Sequence, residues 1–368
     1  MFIKSVILRV ISAPLKQPFV TALGTISERE AIIVEVQDQH GLSGWGEVVA
    51  FSSPWYTEET IQTCFYMLKE FLIPSINKQI THPTQLQWIF EQIRGHHMAK
   101  SGLECAFWDL YSKQQGMSLS KLYGGTREEV DSGVVIASNN VSKALAQIEG
   151  FLEEGYKRYK IKIHPHHALS TIKDIRRVYP DLPLMVDANS SFQLEEDLIV
   201  LKQLDEYQLM MIEQPLAHDD LLQHRELQKQ IQTPICLDES ITSEQAAKNA
   251  VALESCRIIS VKMGRVSGPS KAIAIHNHCL QYGIQLWCGG MIEFGISKAH
   301  NIALSSLSGF TIPGDISSSA RFWEEDIIEP RIVVANGQVK VPNDLGIGYE
   351  IQKKIMRKLQ THKETFII

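Results

Sequence analysis

YKIK (159–162), PLMVD (183–187), LMMIE (209–213), PICLD (234–238) and IISVK (258–262) are five short, largely apolar runs, each closed by a charged residue. The closing residues are Lys162, Asp187, Glu213, Asp238 and Lys262, at steps of 25, 26, 25 and 24. A strand, a helix and two short loops take roughly 25–30 residues, and alternating strand and helix makes a parallel sheet. When such units close into a (β/α) barrel, the carboxyl ends of all strands meet at one face, where barrel active sites lie. The spacing therefore predicts three acids flanked by two lysines around one cavity.

Outward from this core, SGVVIAS (132–138) reads as the first barrel strand, and IQLWCGG (284–290) and FTIPGD (310–315) bring the count to eight. Eight is the barrel number. The first third follows a different pattern. Residues 4–13 and 31–37 alternate like half-buried strands, Asp38-Gln39-His40-Gly41 supplies a turn, and GWGEVVA (44–50) resumes the extended pattern. From Thr57 to about Leu122 the apolar spacing is helical, and Gly124-Gly125 marks a boundary. Near the end, RIVVANGQVKVP (331–342) reads as a hairpin turning at Asn336-Gly337, and GIGYEIQKKIMRKLQ (346–360) as a helix. The expected class is α/β: a (β/α) barrel over 126–325 and an α+β capping domain over 1–125, to which 326–368 returns.

With 44% apolar residues in 368, the chain can fill one large or two ordinary cores. A net charge of −6 without a basic stripe argues against nucleic acid. No apolar run is long enough to span a bilayer, and MFIKSVILRV lacks the features of a signal peptide, so no membrane partner is expected. The six cysteines (64, 105, 236, 256, 279 and 288) form no CxxC pair and read as reduced packing residues, which suits the cytoplasm. GxGxxG after a strand, a P-loop and HExxH are all missing from the sequence.

Asp187, Glu213 and Asp238 close three successive strands, so their carboxylates can face one point. Hard oxygen ligands without Cys or His favour Mg²⁺, with Mn²⁺ next. Such an ion would polarise a substrate carboxylate and favour loss of the proton from the adjacent carbon. Lys160 and Lys162 are two apart on a strand and point the same way. A lysine acts as a base only when neutral, and burial with neighbouring cations pushes its pKa down from about 10.4. Arg265 could do this for Lys262. A lone aspartate after a strand usually caps a helix or turn, but a lysine at a strand end caps nothing, and its burial without partners is costly. Asn189 reads equally as a substrate-orienting group or a helix cap. His164, His166 and His167 read as a solvated loop. Two segments are candidate lids: Phe19 to Thr25, pivoting at Gly24, and the aromatic and hydroxyl-rich stretch with Phe51, Ser52, Ser53, Trp55 and Tyr56.

KIK, VDANSSF, MIEQPL, CLDES, VKMGR, WCGGMIEFGIS and FTIPGDISSS, with SERE near 28, GWGE at 44–47 and MAKSGLECAFWD at 98–109, resemble the enolase superfamily in its muconate-lactonizing subgroup. They are most similar to the o-succinylbenzoate synthase / N-acylamino acid racemase family, over nearly the whole chain. Enolase-superfamily sites use a Lys or His base with Mg²⁺ stabilising the enediolate, a known property of the family and not a product of the spacing. The resemblance implies Lys162 and Lys262 as catalytic lysines and Asp187, Glu213 and Asp238 as metal ligands. It implies Lys160, Asn189, Glu239, Gly290 and Met291 along a small-molecule carboxylate substrate, with the lid assigned to Phe19, Phe51, Ser52 and Trp55. The implied reaction is the metal-dependent dehydration of a succinyl-hydroxycyclohexadiene carboxylate in menaquinone biosynthesis. Its rival is racemisation of N-succinylamino acids with one lysine on each face of the α-carbon. Dipeptide epimerisation and muconate cycloisomerisation belong to other branches, and acid-sugar dehydration commonly needs a histidine base where this chain has Lys262. A barrel that has lost its chemistry and serves as a binding module would be expected to have lost at least one of these buried charges. The sequence leaves a homo-oligomer open.

Overall fold

The alternation near the amino terminus becomes one long hairpin, β1 (Ile3–Thr21) against β2 (Gly24–Asp38), in the computed structural model. The structure describes residues 1–21, 24–136, 138 and 140–368, without the side chains of Val20 and Thr21. Pairing runs to Thr21 opposite Gly24, so the described part of 19–25 is the tip of a hairpin and not a free loop; Ala22 and Leu23 of that expected lid lie outside the described residues. β3 (Ser43–Val48) pairs with β2. Four helices follow: α1 (Ile61–Met67), begun by a Thr60 capping box, α2 (Gln85–Phe90), α3 (His97–Gln114) and α4 (Leu119–Tyr123).

β3 packs on α3 at backbone contact. A Cβ at Gly46 would stand 2.0 Å from the Gly102 carbonyl oxygen and 2.8 Å from the Ala106 nitrogen, neither of which can move without breaking sheet or helix. Gly46→Ala is expected to lower stability by about 1–3 kcal/mol or more, since overpacking against backbone cannot relax. Urea denaturation would show this as a lower midpoint at unchanged slope.

β4 (Glu129–Asp131) leads into the repeating units: β5 (Gly133–Ile136), α5 (Val141–Glu153), β6 (Arg158–Lys162), α6 (Ala168–Val178), β7 (Leu184–Asp187), α7 (Leu194–Leu204), β8 (Ile212–Glu213), α8 (Leu221–Gln228) and β9 (Ile235–Leu237). They continue through α9 (Glu244–Ala252), β10 (Ile258–Val261), α10 (Pro269–Gln281), β11 (Gln285–Cys288) and α11 (Gly295–Ser305). β5 to β11 form a seven-stranded sheet in sequence order, and every neighbouring pair is parallel. The eighth stave, 310–315, is not regular strand but closes the ring. Ile312 and Asp315 donate backbone N–H to Leu286 and Cys288 of β11, while Gly314 accepts from Gly133 and donates to Asp131.

Side-chain period two sets what lies inside. Met185, Met211 and Cys236 stand two residues before Asp187, Glu213 and Asp238, and with Ile258 and Trp287 they form a separate buried cluster. The intervening Val186, Ile212, Leu237, Ile259 and Val261 belong to the main core cluster. Each acid therefore sits one layer above a buried, mostly apolar cluster.

The carboxyl-terminal expectations need correction. Asn336 and Gly337 do form a tight turn, both with positive φ, closed by an antiparallel bridge in which Ala335 and Gln338 exchange both backbone hydrogen bonds, but the hairpin goes no further: β13 (Gln338–Lys340) takes β4 as its strand partner. The helix expected over 346–360 shrinks to α12 (Lys353–Leu359), because Gly346 and Gly348 adopt positive φ and Glu350–Ile351 (β14) pairs with Ile328–Glu329 (β12). β15 (Gln360–Ile367) then pairs with β1, giving the sheet order β15-β1-β2-β3. Among the described residues no helix is long and apolar enough to cross a membrane. All six cysteines are buried free thiols.

Candidate active site

In-register parallel pairing sets Lys162 beside Asp187 and Asp187 beside Glu213 at one level of the barrel mouth. Asp238 follows β9, and its placement is local: Gln214, next to Glu213, accepts the backbone N–H groups of Asp238 and Ser240 through Oε1 at 3.0 and 3.1 Å. Above these residues lies a cavity of about 370 Å³. Of the expected residues, Lys160, Lys162, Asp187, Asn189, Glu239, Lys262, Gly290, Met291, Phe19, Phe51 and Trp55 line it. Glu213 and Asp238 are buried in its floor. Ser52 instead lines an adjoining crevice with residues 24–28, and His164, His166 and His167 form an exposed ring cluster away from the cavity lining.

The lysines are held unequally. Lys162 donates to Asp187 Oδ2 at 2.5 Å and to Asn189 Oδ1 at 2.6 Å, and its side chain is 28% exposed. Asn189 in turn donates to Glu239 at 2.7 Å and adopts φ 42°, while α7 begins only at Leu194, so Asn189 orients Lys162 and caps no helix. Lys262 is buried. It donates to Asp238 Oδ2 at 2.8 Å and to the Tyr56 hydroxyl at 2.7 Å, and Arg265 donates to Asp238 Oδ1 and to Tyr56. Burial pulls the Lys262 ammonium down, but Asp238 and Tyr56 outweigh burial and Arg265 and hold it well above its ordinary range. The expected net lowering by Arg265 is thus reversed here. Lys160, two residues before Lys162 on β6, is buried 2.9 Å from Asp315, 3.2 Å from Glu213 and 3.7 Å from Asp187.

Among the described residues no three Asp, Glu, His or Cys side chains are grouped, as placed, so that they could hold a metal ion. The Lys162 and Lys262 ammonium groups take up oxygens of Asp187 and Asp238. Glu213 shows what the donor set lacks. Both of its carboxylate oxygens are buried without a hydrogen bond, the Lys160 contact being an ion pair only. Burial, then Asp187, hold its carboxyl well above the usual range. An orphaned carboxylate between two others is costly, and a hard divalent cation is the group that would relieve it. The residues fit such an ion.

Several functional candidates escaped the sequence reading. Asp315 ends the eighth stave and pairs with Arg158 and Lys160; it closes an apolar run as the other five do, and that signal was available. Tyr56 was visible only as part of an aromatic loop. Arg29 is fully buried and donates to the carbonyls of Glu30, Val49, Ala50 and Ile292, tying the Phe51 segment to the strained Ile292, which adopts φ 56°. Burial pushes its guanidinium down to about 10. Glu293, Lys298, Arg321 and Phe322 also line the cavity.

Gly289 gives a direct probe of Lys262. A Cβ there would stand 2.6 Å from Lys262 Cε and 2.7 Å from Ser260 Oγ. Gly289→Ala is expected to displace the ammonium and lower kcat/KM by about 100-fold, with a loss of stability of about 1–3 kcal/mol that leaves the protein folded under assay conditions, as the urea midpoint would show.

The family model described as the mandelate racemase / muconate lactonizing enzyme amino-terminal domain matches residues 4–124, and the enolase carboxyl-terminal domain-like model matches 143–355. An o-succinylbenzoate synthase of Bacillus subtilis is 49% identical over 365 residues, covering 99% of this chain and 98% of that protein. An N-succinylamino acid racemase of Thermus thermophilus is 40% identical over 361 residues, covering 98% and 97%. A solved enolase-superfamily structure from Listeria innocua superposes with a TM-score of 0.96 at 39% identity, covering 100% of this chain and 99% of that one.

Proposed function

This chain belongs to the mandelate racemase / muconate lactonizing enzyme family of the enolase superfamily, and from that premise we propose that it is an o-succinylbenzoate synthase. It converts 2-succinyl-6-hydroxy-2,4-cyclohexadiene-1-carboxylate to 2-succinylbenzoate by syn-dehydration in menaquinone biosynthesis. The observation that carries this is a pair of lysines on opposite sides of one cavity, each bonded to an outer member of three acids on successive staves, in a chain 40–49% identical to five proteins of that name.

Lys162 is the base for the proton on the carbon next to the ring carboxylate. Its exposure to the cavity and its bond to Asn189 aim the amine, and Glu239 holds Asn189 in place. Asp187, Glu213 and Asp238 would hold a Mg²⁺ or Mn²⁺ ion, which would supply positive charge against the second negative charge that appears as the proton leaves. Protonated Lys162 then gives its proton to the departing hydroxyl on the same face, so water is lost and the ring becomes aromatic. Lys262, fixed by Asp238 and Tyr56, contributes charge from the opposite side. Phe51, Trp55 and Phe19 cover the mouth and exclude water.

A second reading is favoured by one observation. β6 and β10 are four staves apart in a ring of eight, so Lys162 and Lys262 face each other, as racemisation of an N-succinylamino acid requires. On one metal-loaded preparation, kcat/KM for dehydration is expected to exceed that for racemisation by two orders of magnitude or more, roughly 2.7 kcal/mol of differential transition-state binding. Comparable values, or racemisation ahead, would displace the synthase as the selected role.

A further inference from the structure

One cation in the cavity wall has no part in the proton chemistry. Lys298, in the first turn of α11, is 1% exposed, lines the cavity, and its ammonium nitrogen is buried without a hydrogen bond. Three carboxylates act on it electrostatically, Glu47, Glu293 and Asp326. Each is already engaged by other donors. Glu47 accepts the backbone N–H groups of Phe294 and Ser297, Glu293 those of Met291 and the Asn301 amide, and Asp326 those of Gly295 and Ile327 with the Ser319 hydroxyl. The ammonium is left 5.6 Å from the centre of the Phe322 ring, another lining residue. Withdrawing an ammonium from water without an acceptor is costly unless a ligand supplies one.

Its position in the ring says which ligand. The acids stand on and just beyond β7, β8 and β9, with Glu213 on the fourth stave counted from β5. The stave diametrically opposite is the eighth. α11 leads into that stave, and Arg321 follows it, lining the same cavity and donating Nη2 to the Val135 carbonyl at 2.7 Å. A substrate whose reacting carboxylate faces the acids therefore extends its remaining chain toward Lys298 and Arg321.

We propose that Lys298 and Arg321 form a second anion subsite that binds a carboxylate at the far end of the substrate's acyl chain, so that the enzyme selects dicarboxylates. This rests on the function proposed above, in which a succinyl chain carries that carboxylate. Lys298 is a specificity residue, not a catalytic one.

The test is calorimetric binding to the Mg²⁺-loaded enzyme of 2-succinylbenzoate and of 2-butyrylbenzoate, in which a methyl group replaces the distal carboxylate. The wild type is expected to prefer the succinyl compound by about 30-fold or more, as loss of one partner of a buried charge pair implies. Lys298→Met should reduce that preference to about threefold or less, and Lys298→Arg should retain it. Arg321→Met, which leaves α11 untouched, should weaken the same preference, and so provides the test if Lys298→Met does not fold. A variant that binds both compounds more weakly by the same factor, leaving the preference intact, overturns the subsite. If the wild type binds neither compound, the proposed function itself fails, and the subsite falls with it.

Discussion

Lys162→Ala is expected to abolish dehydration, with kcat/KM falling on the order of 10²–10⁴-fold or more, while far-UV circular dichroism and the unfolding midpoint stay close to wild type. The side chain is partly exposed and contacts Asp187 and Asn189 at the cavity surface, so its removal opens no core cavity. Lys162→Arg separates charge from basicity: a guanidinium keeps the positive charge but does not give up its proton in this range. It should be as inactive as the alanine variant. Activity within tenfold of wild type in either variant would mean that another group takes the proton.

The second large effect concerns Glu213. Its two oxygens are buried without hydrogen bonds, between Asp187 and Asp238, above the plug of Met185, Met211, Cys236 and Trp287. Glu213→Gln removes the charge repulsion while Lys160 keeps Asp315 at 2.9 Å. In the presence of a chelator the variant is expected to be more stable than wild type by about 1–3 kcal/mol, the usual cost of an unsatisfied buried group. Mg²⁺ should raise the wild-type unfolding temperature and restore turnover, but do little for the variant. This would be an ordinary exchange of stability for activity at a functional site. A chelated variant less stable than wild type, or one that gains as much from Mg²⁺, would contradict Glu213 as a ligand strained by the lack of its ion.

The barrel was legible because two simple periods coincide in it. The pitch of about 25 residues places successive strands, and period two inside each strand aims Lys160 with Lys162 and stacks Asp187 on Met185. Where those periods stop, so did the reading. The eighth stave carries no regular ladder, and its Asp315 was passed over although it closes an apolar run. Lys298 and Glu293 lie on a helix and the loop before it, where only the fold shows that they face the cavity. Tyr56 meets Lys262 across 206 residues of sequence. The turn at Asn336-Gly337 was visible as local chemistry, but the partner of the strand after it was not, because β4 lies some two hundred residues earlier. Burial and the cationic neighbour Arg265, the two causes visible in the sequence, point the Lys262 ammonium downward, whereas Asp238 at 2.8 Å, with Tyr56, turns it upward.

The claim that two lysines address opposite faces of one carbon is most directly tested by deuterium incorporation at the α-carbon of the separate enantiomers of an N-succinylamino acid in D₂O. The wild type, Lys162→Ala and Lys262→Ala are compared, all Mg²⁺-loaded. The wild type should exchange both enantiomers, and each variant should retain exchange of one and lose the other, with the retained enantiomer differing between them. Exchange of both enantiomers in both variants, or loss of the same enantiomer in each, would contradict the opposed-lysine site.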